Sequence, residues 1–444
     1  MRNTLFLLLF ISALFLRFYR FSATFVFSGE LGDNLLSIRD IILSRHLPLL
    51  GPPTSHPWLS FGPLYYWLST PILKLVDFNP LFFALISLFL LSSTLLVHYS
   101  SVSKLTGFRT ALISLALLTI SPAWIESSRS VRFFDFIPIL FYPLWILLSS
   151  AHFFYAGLIL GLMFNFHFSP LILVPASLHF IYLKYRKSAN FFKFIIGLIL
   201  PILPLFTNLS MLGKLAIWLP YRMAGLAPAG NQPGFSVIQF LLRQFLFTPH
   251  LLVSILIFTL TSTGLILVFR HRHQPHLLLL LLFFTWGILG IGLHRLPPSH
   301  YYLPLYPIPV VLVAFALTRL PKIVTALLIT SLLLINFPHL FSPKLYYYPS
   351  EVIYGSGVQY PIQLSLSRAI ITDARSRQFS LSRVGPFDVY AKNYAQNFEY
   401  LLWYLDNPPV PDSRLHYTIY EAQSAPESSQ VIFSHPGLAV VRSF

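Results

Sequence analysis

Apolar runs recur through the first three quarters of this 444-residue chain, and they constrain it more than any other feature. An apolar stretch of about 18 residues or more is long enough to cross a bilayer as a helix. Runs of this character cover residues 5–26, 80–98, 110–122, 134–150, 154–166, 169–184, 194–212, 251–269, 277–293, 301–318 and 323–338. Those at 110–122 and 154–166 are short. The expected fold class is an α-helical polytopic membrane protein with about 11 transmembrane helices, followed by a small C-terminal α/β domain. Residues 1–339 form the membrane part and 340–444 the soluble part.

Composition agrees with this. Hydrophobic residues make up 55% of the chain and charged residues 10%, against about 25% charged in ordinary soluble domains. There is no cysteine, which excludes thiol catalysis, disulfides and cysteine metal sites. The run within Met1–Phe27 is longer than a signal-peptide core and lacks a clean small-x-small cleavage site, so a retained first helix is expected.

The formal charge of +16 invites a nucleic-acid reading, but its distribution argues against one. Residues 340–444 hold eight basic and eight acidic residues, so the whole excess lies in the membrane part. Basic loops and phosphate-bearing lipids account for it. With the N-terminus inside, the inside loops carry Lys104 and Arg109; Lys184, Arg186, Lys187 and Lys193; Arg270 and Arg272; and Arg319 and Lys322. None of those loops has an acid. The six acids of the membrane part, Glu30, Asp33, Asp40, Asp77, Glu126 and Asp135, all fall on or near the other side. The expectation is a multi-pass protein of the cell membrane, with a cytoplasmic N-terminus and an extracytoplasmic C-terminal domain.

Three segments then lie outside. Residues 28–79 contain a Pro-rich turn, Gly51-Pro52-Pro53. They also hold an aromatic stretch, Phe61 to Val76, expected as an interfacial helix with Tyr65, Tyr66 and Trp67 at headgroup depth. Residues 213–250 form a second outer loop. In the tail, Leu415–Tyr420, Val431–Phe433 and Leu438–Val441 read as strands and 388–405 as a helix. No repeat of 20–50 residues is visible, and the two halves are not inverted copies, which weighs against a transporter or flippase of lipid-linked sugars.

Several residues could carry chemistry. Glu30 and Asp33, in Ser28-Gly29-Glu30-Leu31-Gly32-Asp33-Asn34, share one face if the stretch is helical. At a membrane boundary they read either as ordinary loop acids or as a general base, alone or with a divalent cation. Arg129 and Arg132 are also three apart; they suit phosphate oxygens or lipid headgroups, with Glu126 and Asp135 flanking them. Arg17 and Arg20 lie within the first apolar run, where a cation faces a cavity, meets a partner or snorkels. His167 sits at an outer helix end. His294, Arg295, His300, Tyr301 and Tyr302 cluster at another. No His-x-x-x-His or similar spacing assigns a metal. Walker-type and Gly-x-Gly-x-x-Gly loops are absent, so an activated substrate or a gradient must supply the energy.

Set in order, these residues resemble a known pattern. The run Gly29-Glu30-x-x-Asp33, then Leu47-Pro48-Leu49-Leu50-Gly51-Pro52, then Gly62-Pro63-Leu64-Tyr65-Tyr66-Trp67-Leu68, resembles the first outer loop of GT-C-fold membrane glycosyltransferases. The likeness is to the bacterial protein O-mannosyltransferase and lipid A aminoarabinose transferase family. Ser121-Pro122 to Arg129, His167 and His300-Tyr301-Tyr302 to Tyr306-Pro307 extend it over most of residues 1–320. Many relatives have Asp or Asp-Glu where this chain has Glu30. The resemblance implies a hexosyl or pentosyl transferase. It would take its sugar from a polyprenyl-phosphate carrier at the outer face and pass it, with inversion, to a lipid, glycan or protein acceptor. It implies Glu30 as base, Asp33 orienting the acceptor or holding a cation, and Arg129 and Arg132 on the phosphate. His167, Arg295, His300 and Tyr301 would line the cavity. A surface-polysaccharide polymerase or ligase would use the same donors.

Overall fold

A computed structural model of the chain describes residues 2–54, 58–208, 210–211, 213–214, 217, 236–293, 297–341, 358–385, 395–421 and 430–443. The chain opens with α1 (Arg2–Phe18) and the single turn α2 (Phe21–Thr24), then turns into α3 (Gly29–Ser44) and α4 (Leu64–Leu75). The bundle continues through α5 (Pro80–Ser92), α6 (Thr94–Thr106), α7 (Phe108–Ile120), α8 (Pro122–Ser130), α9 (Ile137–Ser149), α10 (Phe153–Phe166), α11 (Leu173–Tyr185) and α12 (Ser188–Ile199). After α13 (Val237–Arg243) come α14 (Leu251–Arg270), α15 (Pro275–Gly292), α16 (Pro307–Leu317) and α17 (Lys322–Leu340).

Six helices among the described residues are long and apolar enough to cross a membrane: Asn3–Thr24, Pro80–Thr106, Ser188–Thr207, Leu251–Arg270, Pro275–Gly292 and Lys322–Leu340. Two further helix pairs are apolar and long enough together but bent at a break, α7 with α8 by 66° and Ser299–Leu305 with α16 by 51°. Others are shorter, such as Phe133–Ser149 and Phe153–Phe166. Proline explains the breaks. Pro122 has no N–H to give the carbonyl of Leu118 four residues back, so α7 cannot run on into α8. Arg17, 1% exposed, donates to that carbonyl from Nη2 at 3.2 Å and to the Ala13 carbonyl from Nη1 at 3.0 Å. The cation inside the first span thus finds its partners in backbone carbonyls, one of them the Leu118 carbonyl that the Ser121 N–H meets only at 3.4 Å.

Interhelical packing uses small residues and shared protons. Gly157 and Gly161 of α10 lie against the backbone of Phe194 and Leu198 on α12, where a methyl group would not fit. Wholly buried His98 hydrogen-bonds Tyr142 and Ser114 through its two ring nitrogens, 2.7 Å each, tying α6 to α9 and α7.

The basic loops meet one another. Arg109 donates to the Leu320 carbonyl at 2.8 Å and Lys184 to the His273 carbonyl at 3.0 Å. Glu30 and Asp33 of α3 and Asp135 of the Phe133–Phe136 turn are electrostatic neighbours. The helix expected over Phe61–Val76 forms as α4, but its aromatic residues divide differently. Trp67 is 38% exposed, whereas Tyr65 and Tyr66 are buried. Helical spacing puts only one of these three consecutive residues on the exposed side, so the two tyrosines turn inward.

The tail carries α18 (Tyr360–Ala374), α19 (Gln396–Tyr404) and four strands: β1 (Phe379–Val384), β2 (Leu415–Glu421), β3 (Gln430–His435) and β4 (Leu438–Ser443). The order is β1-β2-β4-β3, with β1 parallel to β2 and the other pairs antiparallel. The three strands read from the sequence are here, and β1 and α18 join them. Of the helix expected over 388–405, Gln396–Tyr404 is observed and 386–394 lie outside the described residues. The tail has its own core, built on Leu366, Ile370, Phe379, Phe398, Leu402 and Tyr417.

Asp373 ties this small unit together. It accepts from Tyr417 Oη and Arg442 Nη1, each at 2.7 Å. Burial pushes its carboxyl up, but those two bonds and the charges of Arg442 and Arg377 outweigh it and hold the group below its ordinary 3.8. Stability from this carboxylate is therefore complete above 3.8 and lost as pH falls through the lower folded value. Asp373→Asn is expected to cost the tail up to about 1 kcal/mol at neutral pH and to flatten its acid unfolding, read by circular dichroism between pH 2 and 7.

Candidate active site

Helix α3 begins where the resemblance places chemistry. Ser28 caps it, accepting from the Leu31 N–H at 3.2 Å, so Glu30 stands in the first turn and Asp33 one turn on. The bottom of the first span is locked just before this. Arg129 of α8 donates from Nη1 to the carbonyls of Arg17 (2.5 Å) and Tyr19 (3.1 Å), and from Nη2 to Thr24 Oγ1 (2.6 Å). Its guanidinium also lies over the Phe21 ring, 5.2 Å from the centroid. The guanidinium expected on phosphate thus bonds the end of α1.

Arg132 behaves differently. It follows Val131, whose φ of 56° ends α8 and turns the chain toward the Phe133–Phe136 turn. Asp135 there is 3% exposed and takes Arg132 Nε at 3.2 Å, Arg132 Nη2 at 3.3 Å, Ser127 Oγ at 3.0 Å, and Ser130 Oγ. Asp135 fixes Arg132 and offsets its charge. The guanidinium lies 4.8 Å from the Phe134 centroid and keeps partial access to solvent, its side chain being 22% exposed.

Glu30 is exposed as a residue, yet protein surrounds its carboxyl. Burial pushes its carboxyl up to about 7; Arg132 draws it down, while Asp135 and Asp33 push it up further. Glu30, Asp33, Arg132 and Asp135 are therefore electrostatic neighbours, drawn from two segments about a hundred residues apart. Tyr65 and Tyr66 belong to the same neighbourhood. Burial leads in raising both hydroxyls above their ordinary range; Glu30 adds to it at Tyr65 and Asp33 at Tyr66.

An aromatic wall adjoins the carboxylates. Tyr65 packs on Phe133 at 5.7 Å between centroids, and Phe133 on Phe61 at 5.2 Å. Phe61 meets His167 at 5.2 Å. His167 then lies 5.0 Å from His300 and 5.3 Å from Tyr301, and His300 stacks on Phe134 at 4.9 Å. His167 Nδ1 accepts the Ser169 N–H at 3.0 Å, which fixes its ring. Three of the four residues picked from distant motifs to line a cavity thus touch one another. Arg295 lies outside the described residues. Phe134, the tyrosine pair and Tyr306 were not singled out in advance for the site. Tyr306 packs on Trp124 and Phe240, beside the Arg243–Glu126 ion pair of 2.7 Å. Tyr65, Tyr66 and Tyr306 sit inside the quoted motifs, a signal that was visible. Phe134 is one of 43 phenylalanines and carried none. Among the described residues, no group of three or more His, Asp and Glu is arranged to hold a metal ion.

The apolar spans make the chain a polytopic membrane protein, and its fold is similar to that of GT-C membrane glycosyltransferases. The particular likeness is to ArnT from Cupriavidus metallidurans. Its apo structure matches over 100% of this chain and 98% of its own length, with a TM-score of 0.63 and 12% identity. ArnT bound to undecaprenyl phosphate matches over 98% and 97%, with a TM-score of 0.60 and 11% identity. The Archaeoglobus fulgidus oligosaccharyltransferase AglB, in complex with an inhibitory peptide and a dolichol-phosphate, covers 95% of this chain and 69% of its own, with a TM-score of 0.54 and 11% identity. No protein-family model matches the chain, and no curated protein matches it in sequence.

Proposed function

We propose that the chain is a glycosyltransferase that moves a hexose or pentose from a polyprenyl-phosphate-linked donor to an acceptor hydroxyl at the outer face of the cell membrane. The observation that supports this reading is the electrostatic grouping of Glu30, Asp33 and Arg132, with Arg132 on Phe134 and Phe134 on His300 of the aromatic wall, in a fold similar end to end to that of ArnT. ArnT has been captured with undecaprenyl phosphate and AglB with a dolichol-phosphate, which supports a lipid-linked donor.

The reaction needs little from the protein. The lipid phosphate is already a good leaving group; it calls for a cation beside it, not a strong acid. Arg132 is the described cation in position, tempered by Asp135. Glu30 takes the proton of the acceptor hydroxyl as that oxygen bonds to the anomeric carbon. The carbon–oxygen bond to the phosphate breaks, and its electron pair stays with the phosphate. A carboxyl that titrates near neutrality is matched to this task. Asp33, one turn along α3, orients the acceptor. A single displacement inverts the anomeric centre, so no second carboxylate nucleophile is required. The aromatic wall offers faces on which a sugar ring can stack. The N-terminus is cytoplasmic in this reading, and the tail outside.

Mass spectrometry of surface glycans from cells with and without the protein tests the proposal. A glycan one sugar shorter in its absence is the expected result; identical glycans and unchanged polyprenyl-phosphate sugar pools would overturn it.

A further inference from the structure

The segment between the first span and Glu30 is held from two sides. Arg129 grips it from the bundle. From the tail, Gln363 Nε2 on α18 and Asn397 Nδ2 on α19 both donate to the carbonyl of Phe27, at 2.9 and 3.2 Å. Phe27 immediately precedes Ser28, the cap of α3. The two amides are linked to each other, Asn397 Nδ2 to Gln363 Oε1 at 2.7 Å, and Gln363 also reaches the Val358 carbonyl at 2.6 Å. The Tyr360 N–H donates to the Phe25 carbonyl at 2.8 Å, and Val26 pairs with Gln359 as an antiparallel bridge. At Gly32, between the two carboxylates, α3 meets the backbone of Gln396 and Asn397 with no room for a methyl group.

This is more than docking requires. The tail also holds the bundle elsewhere, through Tyr400 Oη on the Phe78 carbonyl (2.7 Å) and Asn79 on Tyr404 Oη (3.1 Å). The buried amides, 2% and 5% exposed, instead converge on one carbonyl at the start of the carboxylate helix. A carbonyl that accepts two buried donors has little freedom to turn, and the helix that begins beyond it inherits that direction.

We propose that Asn397 and Gln363 are positioning residues: through the Phe27 carbonyl they set the first turn of α3 and so the direction of Glu30 and Asp33. The C-terminal unit is then part of the catalytic apparatus without touching substrate. The functional meaning rests on Glu30 being the base, but the geometry can be tested without donor or acceptor.

The test uses the full chain in lipid nanodiscs and a hydrophobic carbodiimide, which couples to protonated carboxyl groups. Labelling of Glu30 is followed by peptide mass spectrometry from pH 5 to 9, with hydrogen exchange over residues 28–33. The charges facing Glu30, on Arg132, Asp135 and Asp33, stay untouched in every variant. In Asn397→Leu the half-labelling pH is expected to fall by about one unit, about tenfold less labelling on the alkaline side, as the carboxyl swings toward water. Exchange in the first turn of α3 rises with it. Gln363→Met, unbranched and of similar length, tests the same carbonyl if the first variant does not fold. Tyr404→Phe loosens docking alone and should change neither readout. Unchanged labelling and exchange in a folded Asn397→Leu or Gln363→Met protein overturn the proposal, as does an equal shift in Tyr404→Phe. A shifted midpoint in a folded variant that still transfers sugar at the wild-type rate overturns the base assignment instead.

Discussion

Glu30→Gln is expected to cut sugar transfer by about 10²–10⁴-fold, the usual worth of a positioned base, while raising thermal stability above pH 7. The two effects have one cause. In the unfolded chain this carboxyl ionises near its ordinary 4.5, whereas in the fold it keeps its proton up to about 7. Between those values the folded state binds more protons than the unfolded one, so stability falls as pH rises and is lowest above 7. Glutamine has nearly the same shape and never ionises, so it escapes that loss. It also cannot accept the acceptor's proton. The variant should therefore match the wild type in melting temperature at pH 4.5 and exceed it at pH 8. Full transfer activity in Glu30→Gln would remove it as the base. Equal melting temperatures at pH 8 would mean that the carboxyl is not desolvated.

Arg129→Met carries the largest expected cost in stability, about 3–5 kcal/mol, against a total of about 5–15 for a typical folded domain. The guanidinium is 8% exposed and serves two backbone carbonyls and the Thr24 hydroxyl at once. Removing it strands those carbonyls where little water can replace it. Lysine has a single nitrogen without a planar fork, so Arg129→Lys should recover only part of the loss. Melting of both variants in detergent gives the answer. Were Arg129 a phosphate ligand with no structural work, Arg129→Lys would melt like the wild type and fail only in donor binding.

The contrast between Arg129 and Arg132 shows where sequence reading stops. Both are arginines at a helix end, three residues apart and flanked by acids, and the residues alone assign them the same role. Val131 turns the chain between them, so one bonds the first span and the other pairs with Asp135, near enough to Glu30 to draw on its charge. A similar limit applied to Tyr65 and Tyr66. Their place in a Gly-Pro-Leu-Tyr-Tyr element was plain, but whether they face headgroups or carboxylates depends on which side of α4 is covered. His167, His300 and Tyr301 were better marked. Polar rings at the ends of apolar runs have few places to go, and the ends of the runs met.

The apolar character of the spans and the placing of the acids in other segments than the basic loops follow from composition, because a bilayer tolerates only apolar helical spans and sorts charges to their ends. The sequence therefore determined that this is a polytopic membrane protein with a carboxylate-bearing loop after its first span and a small α/β tail. It did not determine how long each span is, since prolines at 122 and 307 break helices that hydropathy alone would run together or count apart. Nor did it show that the tail leans on the start of α3. That contact joins residues more than 330 positions apart, and nothing local in Gln363 or Asn397 names Phe27 as the partner. Periodicity and charge act along the chain and are legible there. The direction in which Glu30 faces is fixed by hydrogen bonds across it, and only the tertiary structure supplies those.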